Sequence, residues 1–341
     1  MNKRYIVTGA CGHLGNTIVR RLIAAGQEVR GLALPGESDQ ALAGVPVRLF
    51  RGDVCDPESL EPLFKNEPEA EQIVIHTAGI VTIASKHSEK VHQVNVEGTA
   101  NIIQMCLEYG VSRLVHVSSV HAIPEKAMGE TIREVDHFSP DDVVGLYAKT
   151  KAEATQLVLD STRELGLDAV VVHPSGIIGP GDYGHGHLTQ MVMDYLDGRL
   201  TACVKGGYDF VDVRDVADGC IAAAQHGRTG ECYILSNHFF EVRDILNKLH
   251  IISGRKALRV VLPTWFAKAT APFAELYYRL RKQPPLFTRY SLYTLDSNAV
   301  FSHEKAAGDL QYRPRPIDVT LEDTVAWLRA HNRVRPAKAR A

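Results

Sequence analysis

Along the first half of the chain, short apolar runs alternate with stretches whose apolar residues recur at helical spacing. "RYIVTG" predicts a first strand and "NTIVRRLIAAG" a helix ended by Gly26. "EVRGLAL" and "PVRLFRGD" read as the second and third strands, "SLEPLFK" as a helix and "QIVIHTA" as the fourth strand. A long helix is expected around "VNVEGTANIIQMCLEYG", and "RLVHVSS" supplies a fifth strand. "YAKTKAEATQLVLDSTRELG" is the next helix, leading into "DAVVVHPSG" as strand six. Such alternation predicts an α/β fold, a doubly wound parallel sheet wrapped by helices. Beyond about residue 174 it loosens, and glycines and aromatics crowd "GPGDYGHGHL". That change marks a smaller second region, from which "YDFVDVRDVADGCIAAA" is expected to return to the first.

Composition narrows the function classes. The 341 residues suffice for one large domain or two modest ones with a real core. A formal net charge of −2 gives no electrostatic footprint for nucleic acid, and only the final "RVRPAKARA" is markedly basic. The six cysteines are scattered without CxxC or zinc spacing, so free, mostly buried thiols in a reducing compartment are expected. The first strand begins within a few residues of Met1, which leaves no room for a signal peptide and implies a cytoplasmic protein. Residues 260–280, "VVLPTWFAKATAPFAELYYRL", are apolar but interrupted by Lys268, Glu275 and two prolines. They read as an amphipathic helix over an apolar pocket, with peripheral membrane contact left open.

Two local patterns carry chemistry. "VTGACGHLGN" places Gly9, Gly12 and Gly15 between a strand and a helix. Glycines there permit a tight turn and close approach of a pyrophosphate, with the helix N-terminus facing its charge. In "GLYAKTKAE", Tyr147 and Lys151 lie four residues apart on one helix face. A phenol beside an ammonium can have its pKa lowered from about 10 toward working pH, although the spacing alone also occurs in ordinary helices.

The glycine spacing, TGxxGxxG, resembles that of the extended branch of the short-chain dehydrogenase/reductase superfamily. Further motifs follow in family order: "GDVCD" with Asp53 and Val54, "HTAG", "VNVEGTAN", "VSSVHAI", "YAKTK", "HPSGIIGPGD", "FVDVRDVADG" and "FSHEKAAGDLQYRP". The resemblance covers most of the chain. It implies a Rossmann-type sheet in residues 1–173 and about 207–236. A substrate-binding region would take about 174–206 and 237–332, with a basic tail at 333–341. It also implies cofactor contacts from Thr8, Gly9, Cys11, Gly12, His13, Leu14 and Gly15 on the turn. Others would come from Asp53, Val54, Thr77, Ala78, Gly79, Asn95, Lys151, Pro174 and Ser175. Tyr147 would exchange a proton with the substrate oxygen, Lys151 would hold the nicotinamide ribose, and Ser119 would bond the reacting oxygen. Ser118 is the neighbouring alternative, but counting along "SSVHAI" as in relatives with "SSIEVAG" selects Ser119.

Departures from family patterns point to a substrate class. Dehydratases of the branch place Asp-Glu after the hydroxyl residue, where this chain has Val120 and His121. Nucleotide-sugar epimerases carry an aromatic-Asn pair where it has Pro174 and Ser175. The chain instead resembles the 3β-hydroxysteroid dehydrogenase and dihydroflavonol 4-reductase relatives. The expected activity is therefore NAD(P)-dependent interconversion of a secondary alcohol and ketone on a hydrophobic, steroid-like small molecule. Nucleotide-sugar epimerisation is the alternative, and a catalytically silent NAD(P)-sensing protein a third. Trp265, Phe266, Phe273, Tyr277 and Tyr278 would roof an apolar pocket or equally form the core of the small region. His121, Tyr183 and His187 are further substrate candidates, with His185 and His187 on a loop rather than in a metal site; no metal is expected. A homodimer is left open. NAD against NADP is undecided, because Ala33 and Leu34 occupy the places of the usual acidic or arginine signals. Arg30 lies early in its strand, while Ser38 and Arg51 remain in range.

Overall fold

The computed structural model describes residues 3–65, 69–83, 88–267, 269 and 289–335. Its strands are β1 (Lys3–Thr8), β2 (Glu28–Ala33), β3 (Arg48–Arg51), β4 (Glu71–His76), β5 (Arg113–Val117) and β6 (Ala169–Pro174), then β7 (Gly176–Ile178), β8 (Cys203–Val204), β9 (Gly207–Asp212), β10 (Cys232–Leu235), β11 (His238–Glu241) and β12 (Val261–Leu262). Seven of them form a parallel sheet in the order β10-β6-β5-β4-β1-β2-β3. The doubly wound parallel sheet expected from the alternation is present, with β10 as an edge strand beyond the six predicted.

Both faces of this sheet are covered, which is why its strands read as near-continuous apolar runs. Tyr5 and Val7 of β1 enter the core on one face, and Ile6 the core on the other. In β6, Val170 and Val172 go one way and Val171 the other. On the first face pack α1 (His13–Ala24) and α7 (Val213–His226), through Ile18, Leu22, Val216 and Cys220. On the second lie α2 (Pro57–Phe64), the short α3 (Glu89–His92), α4 (Gly98–Glu108) and the long α5 (Leu146–Leu165). Between α3 and α4 the helix widens into one π turn, Gln93–Glu97.

A second layer gathers around β11-β9-β7, a three-stranded sheet in which β9 pairs antiparallel with β11 and parallel with β7. Its core joins α6 (His187–Leu196), α8 (Val242–Ser253) and the helix Ile317–Ala330 through Val192, Leu246, Leu249, Leu321 and Leu328. Thus β9 belongs to the small sheet, whereas α7 and β10, which follow it, return to the large one. Among the described residues, no helix is long and apolar enough to cross a membrane. Five of the six cysteines are buried and free, and Cys55 is free and exposed.

Strand order reverses between β1 and β4, so the crevice at their C-terminal ends is where an open α/β sheet binds its ligand. Residues following β1, β4, β5 and β6 meet there.

Candidate active site

The turn after β1 is shaped by contacts that exclude larger side chains. Gly9 has φ +65°, and a Cβ on it would lie 3.0 Å from the Ala78 backbone. A Cβ on Gly15 would fall 2.1 Å from the Gly9 carbonyl oxygen. The helix that follows starts at Gly12 without a side-chain cap. Its first-turn amides at His13, Leu14 and Gly15 therefore face outward with the positive end of the helix dipole. That is a cradle for a pyrophosphate. His13 Nε2 bonds the Pro180 carbonyl at 3.1 Å, and Asn16 Nδ2 donates to the Gly181 carbonyl at 3.1 Å, tying the cradle to the loop before α6. Cys11 is buried beside it, its thiol pushed up to about 11 by burial.

A buried network fixes the other wall. The Thr99 hydroxyl donates to the Asn95 carbonyl and so accepts from His76 Nε2, which leaves His76 Nδ1 to accept from the Thr8 hydroxyl at 2.8 Å, while the Ala78 amide donates to Thr8 Oγ1. Thr77 Oγ1 donates to the Thr8 carbonyl at 2.6 Å. Asn95, on the π turn, accepts from the Ile80 amide at 2.8 Å and donates to the Ile80 carbonyl and to Thr150 Oγ1, both at 3.1 Å. A Cβ on Gly79 would come within 3.2 Å of Asn95 Oδ1 and 3.5 Å of Lys151 Nζ, so this glycine keeps the floor open. Asp53 accepts from the Cys55 amide at 2.9 Å, and Val54 is buried with its carbonyl held by Asn101. Ser175 donates to Asp209, whose carboxyl burial raises to about 6, and so links the two sheets.

Ser119, Tyr147 and Lys151 are all buried at the C-terminal end of β5. Ser119 lies near enough to the Tyr147 phenol to favour its ionised form, and its hydroxyl oxygen accepts from the His121 amide at 3.2 Å. Ser118 instead bonds Thr155 at 2.6 Å inside the core, so Ser119 is the serine that faces the tyrosine. Lys151 Nζ donates to the Val117 carbonyl at 2.8 Å. Burial raises the Tyr147 phenol to about 12, and the nearby Ser119 hydroxyl offsets this only in part. Burial lowers Lys151 to about 8. The Tyr–Lys spacing, which could lower the tyrosine pKa, does not do so by itself here, because the ammonium is engaged by a carbonyl and desolvation dominates the phenol.

Beside Tyr147 opens a cleft of about 60 Å³, lined by Val120, His121, Ile123, Val143, Tyr208 and Tyr290 among others. It shares Glu125, Tyr293, Ser297 and Asn298 with an outer cavity of about 360 Å³. His121 is held by Tyr208, with Nε2 and the phenol oxygen 2.7 Å apart and the rings stacked at 5.4 Å. Its ring lies 6.2 Å from that of Tyr147, and burial lowers its pKa to about 4. Tyr183 packs instead on Trp327 and His331, His185 accepts from Arg333 at 2.9 Å, and His187 begins α6; none of them lines the cleft. Trp265 is 70% exposed and Phe266 is exposed too. Phe273, Tyr277 and Tyr278 lie outside the described residues. Local sequence gave no pointer to Tyr208 and Tyr290, since each reaches the site from a distant segment.

At the end of β2, Ala33 is buried in the core and Leu34 is exposed. Glu37 folds back so that its carboxylate accepts from the Leu34 amide at 3.0 Å. Arg51 donates to the Leu34 and Glu37 carbonyls and to Asp39. Arg30 is committed elsewhere, donating to the carbonyls of Leu63 and Lys65. Glu37 thus brings to this turn an acid that its position, three residues past Leu34, concealed.

A family model described as the NAD dependent epimerase/dehydratase family matches residues 5–236. The chain belongs to this family. As a family member it is an NAD-dependent oxidoreductase of the extended short-chain dehydrogenase/reductase branch. It is 30% identical over 327 residues to sterol demethylase protein B of Methylococcus capsulatus, covering 95% of this chain and 98% of that one. To 3 beta-hydroxysteroid dehydrogenase type 7 of Mus musculus it is 27% identical over 379 residues, covering 96% and 95%. The crystal structure of gox2253 superimposes with a TM-score of 0.85 at 33% identity, covering 98% of this chain and 100% of that one.

Proposed function

We propose that this family member reduces, and in reverse forms, a ketone on a hydrophobic, steroid-like small molecule, with Tyr147 as the proton donor and Ser119 and Lys151 as its partners. One arrangement carries the reading: the Ser119 hydroxyl lies close enough to the Tyr147 phenol to favour its ionised form, His121 joins that pair to a cleft of mixed polar and apolar lining, and Lys151 is buried one turn further along the same helix. The names of the two relatives above, a sterol demethylase protein and a hydroxysteroid dehydrogenase, agree with it.

The glycine turn, the uncapped start of α1 and the open floor at Gly79 fit a nicotinamide dinucleotide. Bound there, that cofactor would supply or accept the hydride. Glu37 is placed to take the adenosine ribose hydroxyls and to repel a 2′-phosphate, so we infer NAD as the preferred form. Tyr147, neutral because burial holds its proton, gives that proton to the substrate oxygen as the ketone becomes an alcohol. Ser119 donates to the same oxygen and stabilises the negative charge that gathers on it. Lys151, once drawn from the Val117 carbonyl toward the ribose, places a positive charge behind Tyr147 and assists the tyrosinate on the reverse path. Residues 1–173 with about 213–236 would hold the cofactor, and the small sheet with the C-terminal helices would hold the substrate.

The cleft's charged lining residues among those described are Glu125 and Asp142. Both are anionic, a poor match for the diphosphate of a nucleotide sugar. The test is the reduced-nicotinamide absorbance with 5α-androstan-3-one and, separately, UDP-glucose. Steady NADH loss with the steroid supports the reading. Conversion of UDP-glucose to its epimer without net cofactor turnover would replace it.

A further inference from the structure

Tyr290, on the helix Arg289–Asp296, is only 8% exposed, and its hydroxyl has no hydrogen-bond partner among the described residues. Its ring lies flush on Gly145, the residue that opens the helix of Tyr147. A Cβ at Gly145, whose φ is +101°, would be 2.1 Å from a Tyr290 ring carbon. The same ring is 6.2 Å from His121, which is in turn 6.2 Å from Tyr147. Tyr147 and Tyr290 thus both lie against His121, and of the two phenols that line the cleft beside it the Tyr208 hydroxyl has His121 as partner, whereas that of Tyr290 has none among the described residues.

A buried O–H without an acceptor is costly, whereas phenylalanine would fill the same volume without one. The missing acceptor is supplied most simply by the ligand that fills the cleft. We propose that Tyr290 recognises a second oxygen on the substrate, a neutral hydroxyl or keto group on a carbon next to the reacting carbonyl. The Tyr147 and Tyr290 rings each lie 6.2 Å from that of His121, so an oxygen bonded to Tyr290 sits close to a carbonyl held at Ser119 and Tyr147, and the adjacent carbon is the nearest place for it. Neutrality follows from the wall. Burial keeps both Tyr290 and His121 uncharged, and Glu125 on the rim repels an anion. The substrate class is then a bulky apolar hydroxyketone or diketone. This inference rests on the reading of Tyr147 as the proton donor.

The experiment compares wild type and Tyr290→Phe with a matched pair of bicyclic probes, 1-tetralone and 2-hydroxy-1-tetralone. Wild type should prefer the hydroxyketone in kcat/KM by about fivefold or more, the size of one neutral hydrogen bond. In the variant that ratio should fall to near one, mainly through KM, while the thermal midpoint of the free protein stays level or rises. A variant that keeps the preference, a wild type without one, or equal losses on both ketones with a lowered midpoint would overturn it. If neither ketone is turned over, the functional reading has failed. The recognition claim is then judged by titrating both probes into the NADH-loaded protein, where equal affinities in wild type or an unaltered affinity ratio in the variant overturns it.

Discussion

Lys151 and Tyr147 share one face of α5, yet the Lys151 ammonium donates to the Val117 carbonyl while the Tyr147 phenol lies beside Ser119. The two side chains are therefore not paired with each other. Burial dominates both proton affinities, the phenol pushed up with Ser119 opposing in part and the ammonium pushed down.

This arrangement fixes a pH profile. Lys151 loses its charge near pH 8, and with it the positive field behind Tyr147. We expect kcat/KM for ketone reduction to hold level from about pH 6 to 7.5 and to fall as pH rises through about 8. A plateau extending to pH 10 would remove Lys151 from the free-enzyme profile. Lys151→Ala should also weaken NADH binding in a direct fluorescence titration, because it would delete the ribose contact proposed for this lysine.

Cofactor choice is expected to depend on Glu37. Replacing it by glutamine removes the charge that repels a 2′-phosphate while leaving Arg51 beside the site. The kcat/KM ratio of NADPH to NADH should rise about tenfold or more, in line with about 1.5–3 kcal/mol for a hydrogen bond to a charged group. An unchanged ratio would show that another residue reads the 2′ position. Ala33→Asp is a poor substitute, since Ala33 faces the core and the new carboxylate would be buried.

Much of this was legible before the fold. Strand runs such as "RYIVTG" and "DAVVVHPSG" are apolar on both faces because helices cover both sides of the sheet, and that pattern needs no tertiary information. The glycine turn and Tyr147 with Lys151 are local too, as each lies within one strand–helix unit. What the sequence withheld is long-range. Tyr208 reaches His121 across 87 residues and Tyr290 rests on Gly145 from the far end of the chain. Glu37 returns to Leu34 through a turn whose geometry spacing does not reveal. Spacing also does not reveal what Lys151 bonds, a backbone carbonyl that no sequence pattern marks.

A cluster of buried histidines carries a stability prediction. His76 and His116 face each other across β4 and β5 with rings 5.5 Å apart, and His173 lies on β6. Both ring nitrogens of His116 are buried without a partner among the described residues. Burial lowers His76 to about 3 and His173 to about 4, and His116 well below its usual value. In each case the folded pKa lies below the unfolded value of about 6.5, so the unfolded chain binds more protons between the two. Stability is full above about pH 6.5 and falls as pH drops toward 4, by up to about 1.4 kcal/mol per pH unit for each group. His116→Leu removes two unpaired polar atoms and one of these groups. It should raise stability at pH 7 by about 1–2 kcal/mol and flatten the acid slope. Urea unfolding at pH 7 and pH 5 would check this, and a variant less stable at both would contradict it.

Tyr147→Phe keeps the ring and removes only the proton to be transferred, so it tests the proposed chemistry most directly. The measurement is kcat/KM for NADH-dependent reduction of 5α-androstan-3-one, alongside NADH affinity by fluorescence titration. Turnover should fall by about 10²–10⁴-fold, the usual contribution of a general acid, with affinity for NADH unchanged. A variant within tenfold of wild type, with NADH still bound, would mean that the proton comes from somewhere other than Tyr147.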